Sequence, residues 1–217
     1  MSSIESVIAD LENARLVAIV TIPDATLAVP LAKALIAGGV KIMEITFRND
    51  QAEAALKELQ AANLPINYGA GTVRSIEQAE IAVEAGANFL ISPGFNDAVI
   101  KWALDNNIPF FPGVDSTAGI EKACDAGMKV LKFFPAAELG GPKWLKAMKD
   151  PYFDINFIPT GGVSLENLKE YLSLPNVTAV GGTFLAPKDL IQAQQFAEIT
   201  AICKKAVAIV KSLNKKQ

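Results

Sequence analysis

Val130-Leu131-Lys132-Phe133-Phe134-Pro135 is an apolar run interrupted by one charge. Its β-branched and aromatic side chains predict a buried strand. Lysine is almost never fully buried without a partner, and removal from water favours the neutral, nucleophilic amine. Such an amine can form an imine with a carbonyl compound. The alternative is a strand whose lysine lies near one end and extends to solvent, and this run alone does not separate the two.

The same kind of strand recurs along the chain, where short apolar runs alternate with amphipathic segments of helical period. This alternation is typical of parallel sheets covered by helices. Each predicted strand is followed by a predicted helix, and one more helix is predicted before the first strand, over Ile4–Asn13. The eight predicted strands are Leu16–Thr21, Lys41–Phe47, Ile66–Ala70, Phe89–Ser92, Phe110–Pro112, Lys129–Phe134, Asn156–Pro159 and Thr178–Gly181.

Eight strand–helix units without an intervening linker favour one architecture. They predict an α/β protein with a single domain over residues 1–217, a TIM (β/α)8 barrel with an additional N-terminal helix. A doubly wound open sheet gives the same one-dimensional pattern and stays the alternative. The length of 217 residues, with 51% hydrophobic and 20% charged residues, fits one globular domain with a large core.

Composition excludes several classes of partner. The formal charge of −3, without a basic cluster before the C-terminal lysines, predicts no binding of nucleic acid or an anionic membrane. Cys124 and Cys203 match no metal-binding spacing and fit thiols in a reducing cytosol. The most apolar stretch, residues 25–40, is interrupted by Pro30 and Lys33, so neither a signal peptide nor a membrane span is expected. We therefore expect a cytoplasmic protein.

The second predicted strand carries the best candidate for an acid–base group. Strand alternation places Glu44, Thr46 and Arg48 on one face, pointing into the barrel, if the extended conformation persists to Arg48. The chain has no histidine, and Glu44 is the acid that lies inside an apolar strand. The alternative is that the strand ends early and Glu44 forms a structural ion pair with Lys41 or Arg48.

Two glycine pairs follow the last two predicted strands, Gly161-Gly162 and Gly181-Gly182. In TIM barrels a phosphate is frequently held by the loops after strands seven and eight. Glycines let backbone N–H groups approach phosphate oxygens, and a helix N-terminus favours negative charge. A single glycine pair is more often a simple turn, but two pairs at both expected places predict a phosphate site.

Several segments together resemble the 2-keto-3-deoxy-6-phosphogluconate (KDPG) aldolases, a family that also includes 4-hydroxy-2-oxoglutarate aldolases. The resemblance spans nearly the whole chain. It implies a class I aldolase on a TIM barrel, usually a homotrimer, that needs no metal and no organic cofactor. The segments are Glu44-Ile45-Thr46-Phe47-Arg48, Gly69-Ala70-Gly71-Thr72-Val73, Ile91-Ser92-Pro93-Gly94, Phe111-Pro112-Gly113, Leu131-Lys132-Phe133-Phe134-Pro135-Ala136, Pro159-Thr160-Gly161-Gly162 and Val180-Gly181-Gly182-Thr183.

The resemblance also implies roles for individual residues. Lys132 would be the Schiff-base lysine and Glu44 the acid–base group, while Arg48 and Thr72 would hold the carboxylate of the pyruvate half. The implied substrate is KDPG, cleaved reversibly to pyruvate and glyceraldehyde 3-phosphate, with cleavage of 4-hydroxy-2-oxoglutarate to pyruvate and glyoxylate as a further possibility. The residues implied at the hydroxyl and phosphate end are Thr160, Gly161, Gly162, Gly182 and Thr183.

Two residues depart from the family pattern. The loop 112–117 is one residue longer than the usual form and introduces Asp115, which could repel anions, bind hydroxyls or cap the next helix. We favour capping. Thr21 ends the first strand where some relatives carry an arginine, so one anion contact is missing. The resemblance makes Pro93 and Phe134 apolar walls around the imine, although ordinary packing explains them equally well.

Two other functions remain open from the sequence. A phosphosugar epimerase or isomerase on the same barrel would share the phosphate loops but would not need Lys132 as a nucleophile. A non-catalytic barrel that senses pyruvate or a sugar phosphate would need neither a buried lysine nor Glu44 as a base. Trapping a covalent adduct on Lys132 separates the aldolase from both.

Overall fold

The computed structural model describes residues 3–214, in which all strands pair in parallel. The strands are β1 (Leu16–Val20), β2 (Ile42–Thr46), β3 (Asn67–Gly71), β4 (Leu90–Ile91), β5 (Phe110–Phe111), β6 (Gly113–Val114), β7 (Val130–Phe133), β8 (Asn156–Pro159) and β9 (Val180–Gly182). The α-helices are α1 (Ile4–Ala14), α2 (Ala28–Ala37), α3 (Ala52–Ala62), α4 (Ile76–Glu84), α5 (Asp97–Asp105), α6 (Thr117–Asp125), α7 (Gly141–Met148), α8 (Leu168–Leu172), α9 (Lys188–Gln192) and α10 (Phe196–Asn214). Two 3₁₀ helices cover Ala25–Leu27 and Thr183–Leu185.

The strands form a curled parallel sheet in two pieces. One piece has the order β5-β4-β3-β2-β1-β9 and the other the order β6-β7-β8. At one junction only Pro112 separates β5 from β6; proline has no N–H to donate to a ladder. At the other junction, isolated bridges join Phe157 to Val177 and Thr160 to Gly181. The two pieces therefore adjoin at both edges.

The order of the strands decides between the two predicted architectures. A doubly wound sheet reverses its strand order in the middle. Here the order is consecutive, and the last strand pairs with the first, with Leu16 opposite Val180. The open doubly wound alternative is therefore wrong, and the coarser prediction of parallel strands alternating with helices is confirmed.

The predicted elements lie where the sequence placed them, with ends that differ by at most two residues. The fifth predicted strand, Phe110–Pro112, differs in being interrupted: it ends at Phe111, and a second short strand, β6, begins after Pro112. The last predicted strand begins later than expected, at Val180 rather than Thr178. The helix predicted before the first strand is α1, which ends at Ala14 with Arg15 in the left-handed conformation (φ 61°).

Helix α1 covers the beginnings of the strands. Its apolar side chains Val7 and Leu11 are fully buried. They belong to a cluster that includes Val17 of β1, Ile42 of β2 and Val130 of β7. Burial of such side chains contributes about 1.5–3 kcal/mol each to folding. The opposite end of the sheet, where the strands finish, is left for polar residues.

A second apolar cluster lies between the strands and the helices packed around them. The inward faces of the helices are lined with alanine and leucine, such as Leu31 and Leu35 of α2 or Leu56 and Leu59 of α3. None of the helices between residues 3 and 214 is long and apolar enough to cross a membrane.

The two thiols differ in environment. Cys203 of α10 is buried, and burial raises the pKa of its thiol to about 12. Cys124 is partly buried, and burial raises the pKa of that thiol as well. Because the thiolate is the nucleophile, we expect iodoacetamide at pH 8 to leave Cys203 unmodified in the folded protein and to react slowly with Cys124. Intact-mass spectra with and without urea check this, and rapid double modification without urea would contradict it.

Candidate active site

Lys132 and Glu44 meet inside the curled sheet. Lys132, the third residue of β7, is 4% exposed, and Glu44, the middle residue of β2, is 1% exposed. The Nζ atom of Lys132 lies 3.4 Å from Oε1 of Glu44. This is longer than the usual 2.7–2.9 Å of a charge-assisted hydrogen bond. The pair is thus close enough for mutual stabilisation.

This contact decides both alternatives that the strand sequences left open. Lys132 does not extend to solvent, because its side chain is almost completely buried. Glu44 forms no ion pair with Lys41 or Arg48, both of which are exposed; its partner is Lys132. The prediction of a buried lysine is confirmed, and the pairing comes from a strand 88 residues away in sequence.

A glycine on the neighbouring strand leaves room for the Glu44 carboxylate. Gly71 ends β3 and lies in register with Thr46 of β2. A Cβ atom added to Gly71 would overlap the Glu44 carboxyl group. The glycine therefore keeps Glu44 in the position from which it contacts Lys132.

We expect Gly71→Ala to displace the Glu44 carboxylate and to lower kcat/KM by about 100-fold, because displacements near 1 Å in a catalytic site have effects of this size. The matched control is Gly127→Ala, just after α6 and outside the site: no atom lies within 4 Å of a Cβ added there, and its φ of 74° adds backbone strain without a contact to Glu44. Steady-state kinetics of both variants, with circular dichroism to verify folding, check the prediction. Full activity of the Gly71→Ala variant would contradict it.

Arg48 and Thr72 are in contact, as their shared predicted role requires. The Nε atom of Arg48 donates a hydrogen bond to Oγ1 of Thr72 at 3.2 Å. The condition that the extended conformation persists to Arg48 is not met, because β2 ends at Thr46 and Arg48 lies in the following bend. The loop, and not strand alternation, brings Arg48 to the site.

The backbone of Thr72 is strained. Its φ of 60° lies in the left-handed region, which a β-branched residue rarely adopts. Hydrogen bonds on both sides fix this conformation: Phe47 N donates to Gly71 O at 2.7 Å, and Val73 N donates to Ile91 O at 3.1 Å. Strain of this kind is concentrated at functional sites, which supports a functional role for the hydroxyl of Thr72.

The predicted phosphate residues lie together at the ends of the neighbouring strands β8 and β9. Thr160 is buried, and its Oγ1 lies 2.7 Å from a Cβ added to Gly181. Gly161 and Gly162 have φ values of 95° and 72°. Their N–H groups have no partner among the hydrogen bonds of residues 3–214. Gly182 ends β9, and Thr183 begins the 3₁₀ helix that follows it.

Phe134 lies near Lys132 and shares a small cavity with Pro93 and Asp115. Lys132 Nζ lies 5.5 Å from the centroid of the Phe134 ring. Pro93, Phe134 and Asp115 line a small cavity of about 90 Å³. The favoured capping role of Asp115 is wrong: its Oδ1 accepts a hydrogen bond from Ser116 Oγ at 2.9 Å, and no backbone N–H of α6 donates to it among the described residues.

Sequence reasoning missed one polar contact next to this site. The hydroxyls of Thr21 and Thr46 share a hydrogen bond of 2.7 Å. The parallel register of β1 and β2, in which Val20 lies opposite Ile45, places the two threonines side by side. The alternation that singled out Thr46 would have found Thr21 as well, had the register been known.

A curled parallel α/β sheet with a buried lysine beside a carboxylate has the groups that an imine-forming aldolase requires, a nucleophilic amine and an acid–base group next to it. The profile of the family "KDPG and KHG aldolase" matches residues 7–202. The chain belongs to this family, and it is an aldehyde-lyase.

Individual relatives agree with the family assignment. The 2-dehydro-3-deoxy-phosphogluconate aldolase of Treponema pallidum is 42% identical over 92% of this chain and 95% of the relative. The KHG/KDPG aldolase of Escherichia coli K12 is 40% identical over 83% and 84% of the two chains. The crystal structure of KDPG aldolase from Legionella pneumophila, with pyruvate captured at low pH as a covalent carbinolamine intermediate, has a TM-score of 0.89 at 36% identity and covers 92% of this chain and 97% of its own.

Proposed function

We propose that the protein cleaves KDPG reversibly to pyruvate and glyceraldehyde 3-phosphate through an imine on Lys132, with 4-hydroxy-2-oxoglutarate as a second candidate substrate. The observation that carries this proposal is the buried contact between Lys132 and Glu44. An epimerase or a pyruvate sensor would leave this pair without a role.

The proposed reaction starts when the neutral amine of Lys132 attacks the C2 ketone and water leaves, which gives a protonated imine. The imine withdraws electrons from the C3–C4 bond. Glu44, directly or through a water molecule, removes the proton of the C4 hydroxyl, the C3–C4 bond breaks and the aldehyde leaves. The remaining enamine is protonated at C3, and hydrolysis of the imine releases pyruvate and regenerates Lys132.

The carboxylate of the pyruvate half is assigned to Arg48 and Thr72. A guanidinium can donate two parallel hydrogen bonds to a carboxylate, which also orients the ketone toward the amine. The phosphate is assigned to the β8 and β9 ends, where the N–H groups of Gly161 and Gly162 have no partner within the described part of the chain. Thr160, Gly182 and Thr183 would complete that end of the site, and Pro93 and Phe134 would flank the imine.

We expect Arg48→Lys to raise KM for pyruvate-containing substrates at least tenfold, because an ammonium is a point charge without the planar fork of arginine. The matched control is Arg74→Lys, a change of the same kind at another exposed arginine nearby. Kinetics of both variants check the prediction, which an unchanged KM for Arg48→Lys would contradict.

We also infer that the strands close into a (β/α)8 barrel over one domain, residues 1–217, in which β5 and β6 count as one strand. The bridges between Thr160 and Gly181 and between Phe157 and Val177 support closure. A homotrimer, the lack of a metal or cofactor requirement and a cytoplasmic location stay predictions from the sequence.

Reductive trapping tests the function directly. Borohydride reduces an imine between pyruvate and Lys132 to a permanent amine, which adds a pyruvate-sized mass to the protein. No adduct on folded wild-type protein would overturn the proposal.

A further inference from the structure

Asp115 lies beside the reacting lysine in the order of the strands. Strand β6 pairs with β7 so that Gly113 is opposite Lys132. The pairing continues past the strand ends, where Phe134 N donates to Val114 O at 3.2 Å. Asp115 directly follows β6, at the end of the strand that neighbours β7, and it is exposed.

Asp115 is also the charged residue of the small cavity beside Phe134, whose ring lies 5.5 Å from Lys132 Nζ. The cavity of about 90 Å³ lies between Pro93, Phe134 and glycines that carry no side chain into it. A water molecule occupies about 30 Å³ in the liquid, so the cavity has room for a small group such as a hydroxymethyl. The other lining groups include the aromatic ring of Phe134 and the pyrrolidine of Pro93, which do not compete with Asp115 for a hydrogen bond.

The carboxylate of Asp115 has free acceptor capacity. One oxygen, Oδ1, accepts from Ser116 Oγ, and Oδ2 has no partner among residues 3–214. Asp115 forms no salt bridge within the same residues. An ionised carboxylate accepts hydrogen bonds and donates none; it therefore attracts a hydroxyl and repels another carboxylate.

The two candidate substrates differ in whether C5 carries a hydroxyl or a carboxylate. At C5, next to the carbon released as aldehyde, KDPG carries a hydroxyl, whereas 4-hydroxy-2-oxoglutarate carries a carboxylate. The phosphate of KDPG is assigned to β8 and β9, and in the strand order β6-β7-β8 these lie on the other side of Lys132 from Asp115. Asp115 and the phosphate residues thus act on different parts of the substrate.

We propose that Asp115 determines substrate preference: it accepts a hydrogen bond from a hydroxyl of the aldehyde-derived half and disfavours substrates with a carboxylate there. This inference rests on the proposed function. It makes the phosphorylated, hydroxylated keto acid the preferred substrate of this chain and 4-hydroxy-2-oxoglutarate the poorer one.

The test compares kcat/KM for KDPG and 4-hydroxy-2-oxoglutarate in the wild type and in Asp115→Asn, which keeps the size and one acceptor oxygen but removes the charge. We expect the ratio of the two constants to shift about tenfold toward 4-hydroxy-2-oxoglutarate. The matched control is Asp125→Asn, the same change at the other end of α6. The same ratio should depend on salt in the wild type. At 1 M salt, where the Debye length is about 3 Å, the wild-type preference for KDPG should decrease, and the ratio of Asp115→Asn should not change.

The outcomes separate this inference from the function on which it rests. A shifted ratio with an intact pyruvate adduct in Asp115→Asn supports the role of Asp115. An unchanged ratio with an intact adduct overturns that role and leaves the aldolase function in place. Failure of the wild type to form the adduct or to cleave either substrate overturns the proposed function itself.

Discussion

Lys132→Ala is expected to abolish the pyruvate adduct and to lower aldolase activity by at least 10⁴-fold. Without the lysine, no amine in the site can form the imine that accepts the electron pair of the C3–C4 bond. The measurement is intact mass after incubation with pyruvate and borohydride, in parallel with the rate of KDPG cleavage. One adduct on the wild type and none on the variant is the expected result.

The matched control for this experiment is Lys129→Ala. Lys129 precedes β7 by one residue, is exposed and pairs with Asp154. It is a lysine close to the same strand but outside the site, so its removal should leave both the adduct and the activity unchanged. Two outcomes would refute the assignment: an adduct that persists in Lys132→Ala, or one that disappears in Lys129→Ala.

The second large effect is expected from Glu44→Gln. The amide has the size of the carboxylate but cannot accept the proton of the C4 hydroxyl, and general acid–base catalysis of this kind contributes about 10²–10⁴ in rate. We therefore expect kcat for cleavage to fall by such a factor. The adduct with pyruvate should still be trapped by borohydride on a longer timescale, since Lys132 is retained.

Glu53→Gln is the control for this variant, because Glu53 is a half-exposed glutamate of α3 that pairs with Lys57 on the same helix. Glu44→Gln should also lower the free energy of unfolding more than the control does, because it leaves Lys132 without its buried partner; loss of one member of such a pair costs about 3–5 kcal/mol. Urea denaturation measures this difference. Unchanged kcat in the folded Glu44→Gln variant would show that Glu44 is not the acid–base group.

The strands could be predicted from the sequence because each is a short apolar run followed by a helix. Lys132 and Glu44 could be recognised individually, since each is a charge inside such a run. Their contact could not, because it joins strands 88 residues apart and depends on how the sheet curls. Alternation within one strand carries no information about that distance.

Loops were less predictable than strands. Arg48 reaches Thr72 from a bend after β2, whereas strand alternation could place it on the face of Glu44 only if the extended conformation persisted to Arg48. Asp115 was interpreted as a helix cap because acidic residues commonly precede helices. Its carboxylate instead accepts a hydrogen bond from the Ser116 hydroxyl, and no backbone N–H of α6 donates to it among the described residues. The interruption at Pro112 is a backbone effect that a run of apolar letters does not reveal.

Helix α1 has a practical consequence for handling the protein. Its buried residues Val7 and Leu11 hold it against the beginnings of the strands, whereas the proposed substrate site, with Arg48 and Thr72, lies where the strands end. A tag or surface linker attached ahead of Ser3 would therefore leave the substrate entrance turned toward the solution. Immobilised through this end, the enzyme should retain the turnover of the free protein, while attachment at the exposed side of the loop around Asp115 should obstruct it.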